Sequence, residues 1–587
     1  MKKLDSIFVL LLCFVWLFYP YIAGYIFGES SEYSNMGALC VQKEGRNMPL
    51  SSAANDALRM LSGKSTVVVG GKKVSATEYV LMLNAQLPQA YQACVFRIDD
   101  LGLRKALNLK SRYASYNLLK ENAQKLANNA AFLKLAQNVL AFETLGETFV
   151  YSPGNADFAP SKFFAYWQNE VAASQREILQ AGMQNREVDD SKIYNAGKIL
   201  ALLREKQAIF NSQKDFSFKP LYAENRPVGA FDFLLERNPD ALSKKINSAY
   251  CKYFESLNAG NIANAAKLKQ QFLAQSPFKI RFEDFANNLD IFYKAFVLFC
   301  AAAICGLLAW LGGGKKGFFY TAFIATATAA TLFCCFALAM RCYIQLRPPI
   351  TNLYSSAVFT GTVCALVSMV LWCVKRNSIY PFAGCVIGAS SSLVAVNLPY
   401  GGDTMGQMRA VLNSNFYLTV HVVIIMLGYC AALLAASIAS LRLVGNAISL
   451  KKSSKAQTAK CVATVAAIMR WALVFVFAGT MLGGVWADFS WGRFWGWDPK
   501  ENGALLLLLY LAVCVHCKSL AIVGNRAFLG MASLTTVAVI WAWFGVNMLG
   551  IGLHSYGFFG GNWFAFLAVV TVQILVAALC KIRERNE

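Results

Sequence analysis

The chain has 587 residues, of which 56% are hydrophobic and 15% are charged. Soluble domains carry about 25% charged residues, so the composition indicates an integral membrane protein and excludes a transcription factor, a soluble enzyme and a disordered hub. Residues 287–587 contain 21 Lys and Arg but only 7 Asp and Glu. Much of the net charge of +22 therefore lies in a hydrophobic half, where membrane topology accounts for it. Nucleic acid is not an expected partner.

The N-terminus reads Met1-Lys2-Lys3, followed by an apolar run from Ile7 to Phe27. A cleaved signal peptide has a shorter apolar core and a small-residue cleavage site, and no clear Ala-x-Ala follows this run. Residues 1–28 are therefore predicted to form a signal-anchor helix, with a cleaved peptide as the alternative. Either of them would export the segment that follows.

Residues 29–287 are predicted to form a mostly helical extracytoplasmic domain. Strong helix formers, with apolar residues three and four positions apart, fill three stretches: 97–145, 161–210 and 240–275. Breaks are expected at Gly70-Gly71, 151–160 and 220–227. The cysteines permit one disulfide and a spare thiol, although their spacing does not require it; they are Cys40, Cys94 and Cys251.

Residues 288–587 contain nine apolar runs, each near the length that crosses a bilayer. They lie at 292–311, 318–340, 353–374, 380–397, 417–440, 465–486, 503–522, 528–549 and 561–580. With the anchor they predict an all-α polytopic membrane protein of about ten transmembrane helices, in which the helical domain follows the first. If the N-terminus is cytoplasmic, inner segments carry 16 Lys and Arg and the short outer loops carry 5. This asymmetry predicts that both termini are cytoplasmic and that residues 29–287 are extracytoplasmic.

Four of the twelve tryptophans fall within residues 486–497. Glycines, two bases and the acids Asp488, Asp498 and Glu501 are interleaved with them or follow directly. An interfacial aromatic belt explains one or two tryptophans, but it does not require four of them with glycine spacers. We interpret the segment as a flat aromatic platform for a ligand, with the belt as the alternative.

The chain has only three histidines. His421 and His554 lie near the outer ends of predicted spans, whereas His516 lies roughly 20 Å deeper along its helix. A single membrane histidine more often makes an interhelical hydrogen bond. Two outer histidines beside a tryptophan platform suit another role, because neutral imidazoles can bind haem iron from both faces.

Two further patterns limit the function. Cys514-Val-His-Cys517 has the spacing of a redox motif, but structural packing in an apolar span is the alternative that we favour. The chain has no Cys-x-x-Cys-His, so it is not a conventional c-type cytochrome. It also has no Gly-x-x-x-x-Gly-Lys-Ser/Thr, so ATP is not expected to drive it directly.

Five separated motifs, in order over about 290–587, resemble the CcsA/ResC family of system II cytochrome c biogenesis, whose haem-handling members carry a tryptophan-rich "WWD" signature. The motifs are Arg347-Pro-Pro-Ile-Thr-Asn352-Leu-Tyr354, His421 with Gly428-Tyr429, Trp491-Gly-Arg493-Phe-Trp495-Gly-Trp497-Asp498-Pro-Lys500-Glu501, His516, and Val546-Asn547 through His554-Ser-Tyr-Gly557. The front half resembles only part of the ResB-like portion of fused synthases.

The resemblance implies that the chain carries haem b to the outer membrane face and presents it for thioether attachment to Cys-x-x-Cys-His of an apocytochrome c. The attachment site would comprise Trp491, Trp495, Trp497 and Asp498. The iron would be held axially by His421 and His554, and His516 would bind haem within the membrane. The propionates would meet Arg347, Arg493 or Lys500, for which ordinary interfacial anchoring is the alternative.

The same resemblance implies a place in the bacterial inner membrane and enzymatic activity as part of a holocytochrome c synthase, a lyase. The expected partners are a ResB-like membrane protein, apocytochrome c and thiol-reducing thioredoxin-like proteins. A haem exporter or chaperone without ligation activity is the alternative function. A membrane scaffold whose tryptophans form only a belt is the third possibility.

Overall fold

A computed structural model describes most of the chain. The described residues are 2–27, 36–126, 129–149, 162, 165, 172–184, 186, 190–213, 216–222, 226–227, 230–235, 241–259, 261–274, 276–312, 317–397, 404–406, 415–448, 455–549 and 563–581. Asp403, His554 and the break expected at 151–160 lie outside them.

The chain divides into two compact units. We call one the membrane unit; it comprises Met1–Pro20, Leu289–Leu398 and Met408–Glu587. We call the other the polar unit; it comprises Tyr21–Asn288 and Pro399–Gln407. The fold is mainly helical in both units, and only the polar unit contains strands among the described residues.

The membrane unit confirms the predicted class, an all-α polytopic membrane protein. Its helices are α1 Lys2–Phe27, α15 Ile291–Leu311, α16 Phe318–Gln345, α17 Leu353–Lys375, α18 Ile379–Asn397, α19 Asn415–Ile448, α20 Lys455–Trp491, α21 Pro499–Ser519, α22 Asn525–Trp543 and α23 Trp563–Ala578. Within the described residues, nine helices are long and apolar enough to cross a membrane, and they correspond to the nine predicted runs. Helix α1 contributes a shorter apolar stretch, Ser6–Tyr19.

Helix α1 packs within the membrane unit up to Pro20. Cys13 and Leu17 are buried, and the ring of Phe14 meets that of Phe333 edge to face at 5.7 Å. The buried Lys294 donates from Nζ to the carbonyl oxygen of Leu17 at 2.7 Å. A lysine inside a membrane requires such a polar partner, so this bond fixes α1 against α15.

The polar unit combines short helices with short strands. Its helices are α2 Leu50–Ser62, α3 Ala76–Asn84, α4 Pro88–Gln92, α5 Leu101–Ala106, α6 Tyr116–Glu121, α7 Ala123–Leu126, α8 Ala130–Gly146, α9 Ala172–Gln184, α10 Asp190–Ser212, α11 Ala230–Leu235, α12 Ala241–Asn258, α13 Ile262–Ala274 and α14 Phe278–Leu289. Its strands are β1 Cys40–Lys43, β2 Arg46–Pro49, β3 Thr66–Val69, β4 Lys72–Ser75, β5 Cys94–Arg97, β6 Tyr113–Ser115, β7 Lys219–Tyr222 and β8 Arg226–Pro227. They form an antiparallel sheet ordered β2-β1-β7-β8, the hairpin β3-β4 and a two-stranded antiparallel sheet of β5 and β6.

These strands were not predicted from the sequence. Gly70-Gly71, which was expected only as a break, is the turn of the β3-β4 hairpin, and both glycines have positive φ angles, 56° and 82°. Two positive φ angles match the twist of a two-residue hairpin. The hairpin then leads into α3, where Ser75 and Glu78 form a reciprocal capping box.

The three cysteines of the polar unit are free thiols. Cys40 and Cys251 are buried, whereas Cys94 is exposed. Burial raises the pKa of both Cys40 and Cys251 to about 12. Because the thiolate is the reactive form, these two cysteines are packing residues at neutral pH.

The buried Asn84 joins α3 to the end of α8 in the polar unit. Its Nδ2 donates to the carbonyl oxygens of Val80 and Leu145 at 2.9 and 3.0 Å, and its Oδ1 accepts from the backbone N–H of Phe149 at 3.0 Å. Asn84→Ala should destabilise this region by about 1–3 kcal/mol because buried groups lose their partners. Hydrogen exchange of the full chain in detergent measures this as faster exchange in α3 and α8.

Asn122→Ala is the matched control, because the half-buried Asn122 donates one side-chain hydrogen bond among the described residues, to the carbonyl oxygen of Leu118 at 2.9 Å. We expect that variant to change exchange little. Equal exchange in the two variants would contradict the role assigned to Asn84.

Candidate functional site

The membrane unit contains a cavity of about 230 Å³ at one end of five helices, α17 and α19–α22. We call it the tryptophan cavity, and we call the end of the helix bundle where it lies the tryptophan end. Its lining combines one imidazole, four indoles and several polar groups with apolar side chains. The principal lining residues are Asn352, Ser356, His421, Tyr429, Gly483, Trp486, Trp491, Trp495, Lys500, Glu501, Trp543 and Asn547.

His421 is a half-buried lining residue of α19 with a defined tautomer. Its Nδ1 lies 2.8 Å from the carbonyl oxygen of Gly479 on α20. A carbonyl can only accept, so Nδ1 carries the proton and the lone pair of the neutral ring is on Nε2. Metal-binding histidines are commonly oriented by this kind of bond from the other ring nitrogen, so His421 has the chemistry of an Nε2 ligand.

Aromatic rings form the wall beside His421. The ring of Trp486 lies edge-on to the imidazole at 5.7 Å, and Tyr417 stacks on Trp486 at 5.8 Å with an interplanar angle of 4°. Trp491, Trp495 and Trp543 also line the cavity. Trp543 was not predicted as a site residue, because a tryptophan near the end of an apolar span resembles an ordinary interfacial residue.

A compact turn between α20 and α21 holds the tryptophan segment. Asp498 is the N-cap of α21, is only 5% exposed and accepts from the backbone N–H of Lys500 at 2.9 Å. Glu501 Oε2 accepts from the backbone N–H groups of Gly496 and Asp498 at 2.8 and 3.1 Å. The Asp-Pro-Lys-Glu sequence forms a capping box with proline at the first helical position, which is a favoured helix start. These bonds give Asp498 a structural role in setting the turn.

Polar groups converge on one part of the cavity wall. Lys500 donates from Nζ to the backbone carbonyl of Trp543 at 2.7 Å, and Asn547 donates to the same oxygen at 3.2 Å. The buried Oδ1 of Asn547 has no hydrogen-bond partner among the described residues. The cavity therefore combines an apolar aromatic wall with a cation and a buried acceptor.

The structure brings together four of the predicted site residues, His421, Trp491, Trp495 and Lys500. Other predicted residues lie elsewhere. Trp497 is 70% exposed and meets Trp495 at 6.1 Å.

The remaining predicted residues do not line the cavity as the structure describes it. The guanidinium of Arg493 lies against Gly496, and Arg347 is half-buried. His516 is exposed on α21, roughly 22 Å along the helix from Glu501. His554 lies outside the described residues.

Residues 350–554 match the family model described as cytochrome C assembly protein. The cytochrome c biogenesis protein CcsA of Parasynechococcus marenigrum (strain WH8102) is 31% identical over 252 residues, which are 36% of this chain and 79% of the relative. CcsA of Synechococcus sp. (strain CC9311) is 30% identical over 285 residues, 41% of this chain and 88% of the relative. Protein NrfI of Wolinella succinogenes is 28% identical over 224 residues, 37% of this chain and 24% of that protein.

A solved structure, cytochrome c heme lyase CcmF, aligns with 49% of this chain and 50% of that chain. The TM-score is 0.36 and the sequence identity is 18%, so this likeness carries no argument about function.

Replacement of Glu501 by alanine should loosen the turn that carries Trp495 and Trp497. Two backbone N–H groups, those of Gly496 and Asp498, would lose their acceptor, at about 1 kcal/mol or more each. We expect the amides of residues 492–500 to exchange hydrogen about tenfold faster, as measured by mass spectrometry in detergent.

Glu501→Gln is the control for this substitution because its side chain keeps an acceptor oxygen. It should preserve most of the protection. Unchanged exchange in Glu501→Ala would show that the carboxylate does not hold the turn.

Proposed function

Because the chain belongs to the CcsA family of cytochrome c biogenesis proteins, we propose that it binds haem b in the tryptophan cavity and presents it for attachment to an apocytochrome c. The observation that carries the proposal is the lining of one cavity by His421, Trp495 and Lys500. The tryptophan end is extracytoplasmic in this proposal, and both termini are cytoplasmic in the inner membrane of a bacterium.

The residues of the cavity suit a haem in their donor chemistry. The lone pair on Nε2 of His421 suits coordination of iron, and indole faces suit a flat apolar macrocycle. Lys500 supplies a cation for a propionate through a charge-assisted hydrogen bond. His554 would supply a second imidazole for the iron, on the basis of its motif. Arg347 and Arg493 are further candidates for the propionates.

The proposed reaction is the addition of each cysteine thiol of Cys-x-x-Cys-His across a haem vinyl group. One carbon–sulfur bond forms at each vinyl group, the S–H bond breaks and its proton passes to the neighbouring vinyl carbon. The addition consumes no oxidant or reductant. The contribution of this chain is to orient the substrate through His421 and the tryptophans at the cavity, and to keep water from its apolar wall.

A ResB-like membrane protein is the proposed partner, and the position of His516 supports it. Helix α21 exposes Leu506, Leu509 and Val513, which are 50%, 58% and 52% accessible, and His516 continues this three- and four-residue spacing. An ionisable side chain facing lipid is unfavourable. A partner helix that covers this stripe would shield His516 and supply a second ligand for haem on its way to the tryptophan cavity.

The proposed assembly also includes apocytochrome c as the acceptor and thioredoxin-like proteins that keep its thiols reduced. In this assembly the chain is a subunit of a holocytochrome c synthase. The alternative is a haem exporter or chaperone that loads a separate protein without ligation. Covalent haem on a co-expressed apocytochrome distinguishes the two functions.

His421→Gly should remove one of the two proposed imidazole ligands, so the purified protein should retain less haem and show a changed absorption spectrum. Added imidazole should restore part of the absorption spectrum, since it fills the space of the missing side chain. Normal haem content and spectrum in His421→Gly would contradict the assigned ligand.

Trp495→Ala should weaken haem retention about two- to tenfold, since aromatic contacts add about 0.5–1.5 kcal/mol beyond burial. Trp471→Ala is the matched control, because Trp471 is an exposed indole of α20 outside the cavity. Haem titration in detergent compares the two variants, and equal retention would favour an aromatic belt.

Maturation of a reporter cytochrome c should require a ResB-like partner when the chain is expressed in a host without other biogenesis systems. His516→Ala should lower maturation in the presence of the partner and leave the ligand spectrum of the tryptophan cavity unchanged. Full activity of this chain alone, together with an indifferent His516→Ala, would indicate that haem enters laterally from the membrane.

A further inference from the structure

Helices α19 and α20 approach each other closely beside His421. An added Cβ at Gly428 would lie 2.7 Å from Val476 Cγ2 and 2.9 Å from the Val476 backbone nitrogen. An added Cβ at Gly479 would lie 2.7 and 2.8 Å from the Cβ and Cα atoms of Ile425. No side chain fits in either place, so these glycines let two membrane helices pack with their backbones in contact.

Gly483 differs from the other two glycines in what it faces. The three atoms nearest to an added Cβ all belong to the imidazole of His421: Cε1 at 2.7 Å and the two ring nitrogens at 3.3 Å. A methyl group at this position would therefore collide with the imidazole ring and displace it. The backbone of α19 is not among the atoms nearest to it. Gly483 itself lines the tryptophan cavity.

Gly479 acts on the other side of the same ring through its carbonyl oxygen. A carbonyl oxygen has two lone pairs, so it can accept the helical N–H bond and the Nδ1–H bond from His421 together. The 2.8 Å bond depends on close approach of α19 to α20, which a side chain at Gly479 would prevent. The carbonyl oxygen of Gly479 thus keeps the proton on Nδ1. Gly483 leaves room for the imidazole ring because it has no side chain.

We propose that Gly479 and Gly483 are positioning residues that set the tautomer and the plane of the His421 imidazole. The inference rests on the proposed function in one respect, namely that His421 binds the haem iron. Loss of an interaction that orients a metal ligand lowers metal affinity about 10- to 100-fold. The same loss is expected here for haem when Gly483 or Gly479 is replaced by alanine.

The test compares Gly483→Ala and Gly479→Ala with Gly445→Ala in the full chain. Gly445 lies on α19, and an added Cβ there meets nothing within 4 Å. It is therefore a control for the general effect of a glycine-to-alanine change in these helices. Retention of haem, the midpoint potential of the haem and the recovery of the absorption spectrum on addition of imidazole are measured for each variant. We expect about 10- to 100-fold weaker retention and a shifted potential in Gly483→Ala and Gly479→Ala, and no change in Gly445→Ala.

A first readout needs no haem. The imidazole nitrogens of ¹⁵N-histidine report which nitrogen carries the proton, and the chain has only three histidines, so the His421 signals are assigned by their loss in His421→Gly. The wild-type protein and Gly445→Ala should show the proton on Nδ1 of His421. Gly479→Ala should lose this state, and Gly483→Ala should change the chemical shifts. Spectra of both variants identical to wild type would overturn the inference.

A double variant separates positioning from simple destabilisation of the fold. In a His421→Gly background the ring is absent, so Gly483→Ala should cause no further loss of haem. Added imidazole should restore the double variant less than His421→Gly, because the new methyl group would lie 2.7 Å from the position of the ring. A full additional loss in the double variant would show that Gly483 acts on packing and would overturn the inference. Normal haem ligation in His421→Gly would instead refute the proposed ligand, while the nitrogen spectra would still test the positioning.

Discussion

The bond between Nδ1 of His421 and the carbonyl oxygen of Gly479 is the interaction on which the site depends. It connects two helices, assigns the proton to one ring nitrogen and leaves a lone pair on the other. It forms only because glycines allow the backbones of α19 and α20 to touch. The close packing of α19 and α20 therefore also determines which nitrogen of His421 can bind a metal. The aromatic residues of the cavity lie beside this imidazole.

The tryptophan segment is held by a second set of bonds, which belong to the start of α21. Asp498 and Glu501 satisfy backbone N–H groups at the helix start and in the preceding turn, and Lys500 reaches across to α22. Both acids therefore act as caps of α21. These bonds fix the position of Trp495. The segment between α20 and α21 therefore contains both the indoles and the acids that hold its backbone in place.

Much of the membrane unit could be predicted from the sequence, because each span needs a long apolar run and the chain has few charges there. His421 and Trp495 were predicted from their motifs and Lys500 from the family resemblance, and all three line one cavity. Trp543 and the close glycines could not be predicted, since their roles depend on which helices become neighbours. The strands of the polar unit were missed because strands of two to four residues give little periodicity beside strong helix formers.

Cryo-electron microscopy of the haem-loaded full chain would show whether His421 holds the iron. We predict that iron is bonded to Nε2 of His421, that the macrocycle lies against Trp495 and that Nδ1 still donates to the carbonyl oxygen of Gly479. Iron held away from His421, with the tryptophan cavity empty of porphyrin, would contradict the account.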